Sequence, residues 1–208
     1  MLDVQNISCF RGCQEFFFDL SFGVKSGDAW VITGQNGAGK STLLTALIGL
    51  FPLSGGDIIW NGEPLADHLA EFHQQSLLLG HKLSLKGRET PIEHLQRWAA
   101  YQKCTPDTIP QILERWGIEN PHRQLRTYSA GQQKRVALSR LLLEPKKLWL
   151  LDEPLSQLDT QGKEILTELV AEHCQNGGCV IATTHEAVSW PNIKTLDLDQ
   201  HTPQIQAA

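Results

Sequence analysis

The sequence predicts an α/β fold: a mixed sheet with antiparallel edge strands, flanked by helices and carrying a helical subdomain. Three observations predict it. KLWLLDE (147–153) and GCVIATTH (178–185) are continuous apolar runs of the kind found in strands buried on both faces. The helical pattern TQGKEILTELVAEHCQ lies between them, so the three make a βαβ unit of a parallel sheet. The first third is instead rich in β-branched and aromatic residues broken by Gly, Ser and Asp, and the middle carries helix-capping signals.

Taken in order, MLDVQNIS, EFFFDLSFGV and DAWVITG read as strands. The third runs into GQNGAGKST and then STLLTALIGL, whose apolar spacing is helical. SGGDIIWNGEPL (54–65) reads as a turn, a short strand and an Asn-Gly hairpin, closing an antiparallel edge by about residue 66. In TPIEHLQRWAAYQ, Thr90 is the N-cap, Pro91 the first helical residue and Glu93 the partner of a capping box. TIPQILERWG predicts a second helix, capped by Asp107 or Thr108 and ended by Gly117, and a third opens at YSAGQQKRVALSR. Residues 75–143 thus form a mostly helical subdomain inside a single domain spanning 1–208, and QHTPQIQAA reads as a loose tail.

Composition narrows the function. A chain of 208 residues at 41% hydrophobic can bury a full core, and its net charge of −5 lacks the basic excess that nucleic-acid binding normally needs. The five cysteines (Cys9, Cys13, Cys104, Cys174, Cys179) include no C-x-x-C pair, which suggests neither a disulfide framework nor a zinc site. No apolar run approaches the roughly 18 residues needed to cross a bilayer, and MLDVQNISCFRG lacks the basic start and apolar block of a secretory signal. Any membrane contact is expected through another chain.

Gly34 to Ser41 matches G-x-x-x-x-G-K-[ST] between a strand and a helix, where a phosphate loop must lie, and this makes the core one of the P-loop NTPase type. The glycines let backbone N–H groups turn onto phosphates, and the helix N-terminus adds its dipole. The loop residues Gly34, Gln35, Asn36, Gly37, Ala38, Gly39, Lys40, Ser41 and Thr42 are therefore the nucleotide-binding candidates. Lys40 is expected to reach the β and γ phosphates, and Ser41 to ligand magnesium. Asp152, at the carboxyl end of a buried strand, supplies a second magnesium ligand. Glu153 beside it is placed to orient or deprotonate a water for in-line attack on a γ phosphate, which points to hydrolysis.

Ser129 followed by Ala130 and Gly131 would pass for an ordinary N-cap, and His185 for a structural strand-end histidine. Their order decides otherwise: phosphate loop, S-x-G-Q helix start, Asp-Glu strand, SQLD, and a strand ending at His185. This series resembles the nucleotide-binding subunits of ABC (ATP-binding cassette) transporters over essentially the whole chain. YSAGQ is similar to their signature motif, Ser156 to Asp159 to their D-loop, and His185 to their switch histidine. The resemblance implies ATP and magnesium, His185 on the γ phosphate, and an ATP-dependent head-to-tail dimer. In that dimer Ser129, Gly131 and Gln132 of one copy, with Asp159, face the nucleotide held by the other.

Departures narrow the resemblance. His81 stands where the family has a glutamine that contacts magnesium, Arg11 where many relatives stack an aromatic residue on adenine, and Tyr128 and Ala130 replace Leu and Gly. LGH followed by LK, SAGQQKRVALSRL, LWLLDEP and GG leading into VIATTH are similar to the ATP-binding subunits of cytochrome c maturation exporters, the haem-handling ABC systems. That resemblance implies a peripheral subunit on the cytoplasmic face of the inner membrane, bound to transmembrane partners, with ATP hydrolysis driving haem export or release of a haem-loaded chaperone. No haem site is visible: there is no C-x-x-C-H, and His68 and His73 are five apart. Three alternatives stay open: an ABC ATPase serving another transporter, a non-hydrolysing ATP-gated module, and a P-loop kinase. The last leaves the signature and D-loop unexplained.

Overall fold

The computed structural model describes residues 1–11, 14–102 and 106–202, with backbone alone at 11, 14 and 15. Strands β1 (Leu2–Arg11) and β2 (Gln14–Val24) pair antiparallel from Leu2↔Val24 onward. The pairing slips between Val4 and Ile7 and again before Cys9, and Asn6 and Asp19 adopt positive φ there, both at 49°. The slip has a consequence for burial: even positions point inward before it (Leu2, Val4) and odd positions after it (Ile7, Cys9). β4 (Gly55–Trp60) lies against β1, where a Cβ on Gly56 would come within 2.4 Å of the Asn6 carbonyl, so glycine is needed opposite the bulge. β5 (Glu63–Pro64) follows across Asn61 and Gly62, both at positive φ, as a two-residue hairpin turn of this kind demands. The sheet order is β2-β1-β4-β5.

The second sheet is parallel, in the order β6-β7-β8-β3-β9. Its strands are β3 (Ala29–Thr33), β6 (Ser76–Leu79), β7 (Leu148–Asp152), β8 (Cys179–Thr183) and β9 (Ile193–Asp197). Every residue of β7 and β8 is buried, because alternate side chains enter two different cores. Trp149, Leu151, Val180 and Ala182 pack with α3 (Pro91–Gln102), α4 (Ile109–Arg115), α5 (Ala130–Leu138), α6 (Arg140–Leu143) and α7 (Thr160–Gln175). Leu148, Leu150, Cys179 and Ile181 pack with α1 (Lys40–Leu47) and the antiparallel sheet. Burial raises the Cys174 thiol to about 11 and the Cys179 thiol to about 12, so both are packing residues, whereas Cys13 and Cys104 lie outside the described residues.

Two boundaries differ from the sequence reading. A helical subdomain beginning at 75 would include Ser76–Leu79, which instead pair with β7 as an edge of the parallel sheet, preceded by α2 (Leu69–Gln75). SLLL is too short and too uniformly apolar to separate strand from helix by period. β9, whose only buried residue is Leu196, carries too weak a hydrophobic pattern to announce itself. The start of α3 agrees in detail: Thr90 Oγ1 accepts from the Glu93 N–H at 3.2 Å, and the Glu93 carboxylate accepts from the Thr90 N–H at 2.7 Å, whereas Thr108 precedes α4 without a side-chain cap bond. Gly117 closes α4 at φ 67°, its N–H donating to the Glu114 carbonyl. Of the tail, Gln200 and His201 belong to a short 3-10 turn and residues 203–208 lie outside the described residues. Among the described residues no helix is long and apolar enough to cross a membrane.

Candidate functional site

The carboxyl ends of β3, β7 and β8 meet at one edge of the parallel sheet, with Ile32 and Asp152 both in register with Thr183. An open α/β sheet gathers its ligand groups at such an edge. After β3 the chain turns through Gly34 (φ 142°), Gly37 (φ 90°) and Gly39 (φ 94°), left-handed conformations that admit glycine readily, and α1 begins at Lys40. Gly39 caps α1 with no side-chain bond, and the helix carries no acidic residue in its first turn. Its free N–H groups are thus open to an anion. Gln35, Asn36 and Gly37 are exposed and Ala38 half-buried.

Lys40 is buried and folds back along the loop, donating to the carbonyls of Gly34 (2.7 Å) and Gln35 (3.0 Å). Its Nζ lies 3.0 Å from His185 Nε2, and that same nitrogen lies 3.5 Å from Glu153 Oε1. Ser41 Oγ donates to Asp152 Oδ2 at 2.8 Å, while Thr183 Oγ1 donates to Oδ1 at 2.7 Å and fixes the carboxylate from its other side. Glu153 takes φ 46°, and its N–H is held by the Thr183 carbonyl and hydroxyl oxygens at 3.1 and 3.0 Å. The structure therefore brings Lys40, Ser41, Asp152, Glu153 and His185 together, with Thr42 on the first turn of α1.

The second glycine motif forms a separate structure. Ser129 and Gln132 complete a capping box at the start of α5, the Ser129 hydroxyl accepting from the Gln132 N–H (3.2 Å) and the Gln132 side-chain oxygen from the Ser129 N–H (3.0 Å). A Cβ on Gly131 would lie 2.7 Å from the Gln157 carbonyl oxygen, so the helix touches the segment after β7 through glycine. Arg135, buried in α5, pairs with Asp159 and reaches the Trp116 carbonyl at 3.2 Å. The guanidinium and the Gly162 N–H together hold the Asp159 carboxyl below the usual carboxylate range. Within this chain Asp159 caps α7, accepting from the Gly162 N–H at 2.9 Å. Among the described residues no hydrogen bond joins Ser129, Gly131 or Gln132 to the phosphate loop. Ser129 and Gln132 are nonetheless exposed, so this helix end is presented outward.

His81 is exposed in the loop after β6, and the Arg11 side chain lies outside the described residues. Sequence reasoning missed three contributors. Thr183 could have been read from its place at a strand end, level with Asp152. Asp199, whose carboxylate accepts the Gln35 N–H at 3.0 Å, carries no local signal because it arrives from the 3-10 turn after β9. Phe16 lies against Gly39, where an added Cβ would meet the Phe16 Cβ at 3.0 Å and its ring at 3.3 Å, and only the pairing of β1 and β2 brings it there.

The donor set fits a hard divalent cation: the Ser41 hydroxyl and the Asp152 carboxylate converge within hydrogen-bond distance, two oxygen donors of the kind magnesium takes alongside phosphate oxygens. Among the described residues no cluster of three or more His, Cys, Asp or Glu competes for a metal.

Residues 17–156 match the family model described as ABC transporter. The chain is 40% identical over 200 residues to the cytochrome c biogenesis ATP-binding export protein CcmA of Vibrio cholerae, covering 93% of this chain and 95% of that one. With the protein of the same name from Haemophilus influenzae it is 39% identical over 203 residues, covering 95% and 94%. A solved structure described as the ATP-binding subunit of an ABC transporter superposes with a TM-score of 0.78 at 28% identity, covering 89% of this chain and 80% of that one. A Pyrococcus furiosus protein described as an ABC transporter ATP-binding protein superposes with a TM-score of 0.84 at 21% identity, covering 97% and 99%, a likeness of fold. With the P-loop fold, the converged site and the signature helix in place, this chain belongs to the ABC transporter family of ATP-binding, ATP-hydrolysing subunits, in its CcmA-like branch.

Proposed function

We propose that this chain is the ATP-hydrolysing subunit of an ABC complex for c-type cytochrome biogenesis, with ATP turnover driving haem export or the release of a haem-loaded chaperone. The observation that carries the chemistry is the convergence of Lys40, His185 and Glu153, with His185 Nε2 3.0 Å from the ammonium and 3.5 Å from the carboxylate. The curated names of relatives at about 40% identity support the biological assignment.

ATP rests its phosphates on the N–H groups of Gly34 to Thr42, with Lys40 at the β and γ phosphates. Ser41 and Asp152 would hold a magnesium ion, which when bound neutralises charge on the phosphate oxygens. A water oxygen bonds to the γ phosphorus as the bond to the ADP oxygen breaks, and Glu153 takes the water's proton. His185, adjacent to both Lys40 and Glu153, donates toward the γ-phosphate oxygens. Ser129 and Gln132, exposed at a helix start apart from this site, and the half-buried Gly131 between them act on the nucleotide of a second copy in a head-to-tail dimer, with Asp159 at the junction. Transmembrane partner chains hold the subunit at the cytoplasmic face of the inner membrane.

The test is a haem stain of membrane proteins from cells whose sole copy carries Lys40→Ala or Glu153→Gln, with subunit abundance measured alongside. Loss of covalent c-type cytochromes with the subunit still present supports the assignment. Normal cytochromes in both variants would leave an ABC ATPase serving another transporter.

A further inference from the structure

Lys134 is a buried cation that the hydrolytic scheme does not use. It lies inside α5, is 5% exposed, and donates from Nζ to the Glu153 carbonyl oxygen at 2.9 Å. Burial lowers its pKa, and the nearby Asp152 and Glu153 carboxylates oppose that shift, so the ammonium sits within the field of both acids. Its side chain also borders a cavity of about 40 Å³ lined by Leu79, Gly80, Lys82 and Ser84 of the segment that carries His81.

The bond matters because of what it holds. Glu153 occupies a left-handed conformation at φ 46°, which is strained for a non-glycine residue and persists only where the surroundings enforce it. Two anchors enforce it: Thr183 accepts the Glu153 N–H, and Lys134 grips the Glu153 carbonyl. The first anchor belongs to the sheet and the second to the helix that opens at Ser129. The same helix meets Gln157 through Gly131 and Asp159 through Arg135, so α5 and segment 153–159 are fastened at three points.

We propose that Lys134 is a positioning residue for the water-activating carboxylate, fixing the backbone from which Glu153 projects and tying its aim to the seating of the signature helix. This role rests on the ATPase reading above. It predicts a rate effect, since misplacing a reacting group by about 1 Å can cost on the order of a hundredfold, while nucleotide contacts remain those of the phosphate loop.

The experiment measures phosphate release and ATP affinity for the full-length chain carrying Lys134→Met, Lys134→Gln or Lys134→Arg, with thermal midpoints recorded for each. The expected result is a kcat at least about tenfold lower in the Met and Gln variants, KM within about twofold of wild type, and substantial recovery in Lys134→Arg, which keeps a charged donor. Two neutral variants are used so that misfolding of one does not decide the outcome. In a Glu153→Gln background, Lys134→Met should slow single-turnover hydrolysis no further, because the group it aims is already disabled. An unchanged kcat in well-folded Met and Gln variants, or an equal further loss in the Glu153→Gln background, overturns the proposal. A wild-type chain that releases no phosphate would overturn the ATPase reading itself, and this role with it.

Discussion

The carbonyl oxygen of Gln157 occupies the space that a side chain on Gly131 would need, with a Cβ there falling only 2.7 Å away. Glycine in the second motif is therefore a packing requirement inside one chain, whatever it contributes across a dimer. Gly131→Ala must push α5 from the segment after β7, a form of overpacking that costs about 1–3 kcal/mol. Denaturant unfolding should show a lower midpoint, with ATP hydrolysis falling as well. An unchanged midpoint would mean that the segment yields freely.

Glu153→Gln preserves the shape of the side chain and removes its basicity. The variant should bind ATP with near-normal affinity and hydrolyse it at least ~100-fold more slowly, by loss of general-base assistance. Equilibrium nucleotide binding and phosphate release separate the two effects. Turnover near the wild-type rate would take Glu153 out of the mechanism.

His94 makes stability depend on pH. It is fully buried in α3, with Nδ1 3.0 Å from an Arg97 nitrogen and 3.7 Å from Glu89 Oε2, and burial followed by the Arg97 charge brings its pKa to about 4. Between that value and the ordinary 6.5 the unfolded chain binds a proton that the folded chain refuses. Stability is therefore full above pH ~6.5 and falls as pH drops toward 4, by at most about 3 kcal/mol at ~1.4 kcal/mol per unit. Urea unfolding at pH 7.5 and pH 5 should show this loss in wild type and a smaller one in His94→Gln. Equal losses would place the pH dependence elsewhere.

Asp159 has the opposite sign. Arg135 and the Gly162 N–H hold its carboxyl low, so its contribution is present above the unfolded value of roughly 4 and is lost as pH falls through the folded one. The carboxylate is 66% exposed, which limits the contribution to about 1 kcal/mol or less. Asp159→Asn keeps an N-cap but loses the charge, so it should be slightly less stable than wild type at pH 7, and the gap should narrow as pH falls below about 4 and close once the folded-state carboxyl is protonated. A gap that persists in acid would assign the effect to the cap geometry.

The sequence by itself determined the elements whose causes are local. A phosphate loop needs glycines at fixed spacing before a lysine, a capping box needs Thr90 and Glu93 three residues apart, and a hairpin of two residues needs Asn61-Gly62. Strands buried on both faces must be apolar throughout, so β7 and β8 were legible, and with them Asp152 and Glu153 at a strand end. Tertiary structure alone decided the rest. The bulge that switches burial along β1 depends on Gly56 from another strand, β6 and β9 gain their identity only by pairing, and Phe16 and Asp199 reach the phosphate loop from distant segments. Lys134 belongs to the same class: on the helix pattern it is one more charged residue, and only the approach of α5 to the segment after β7 buries it on the Glu153 carbonyl. The physical reason is common to all of these. Local rules act over a few residues through backbone geometry, whereas a contact between segments far apart in the chain exists only once the core has brought them together.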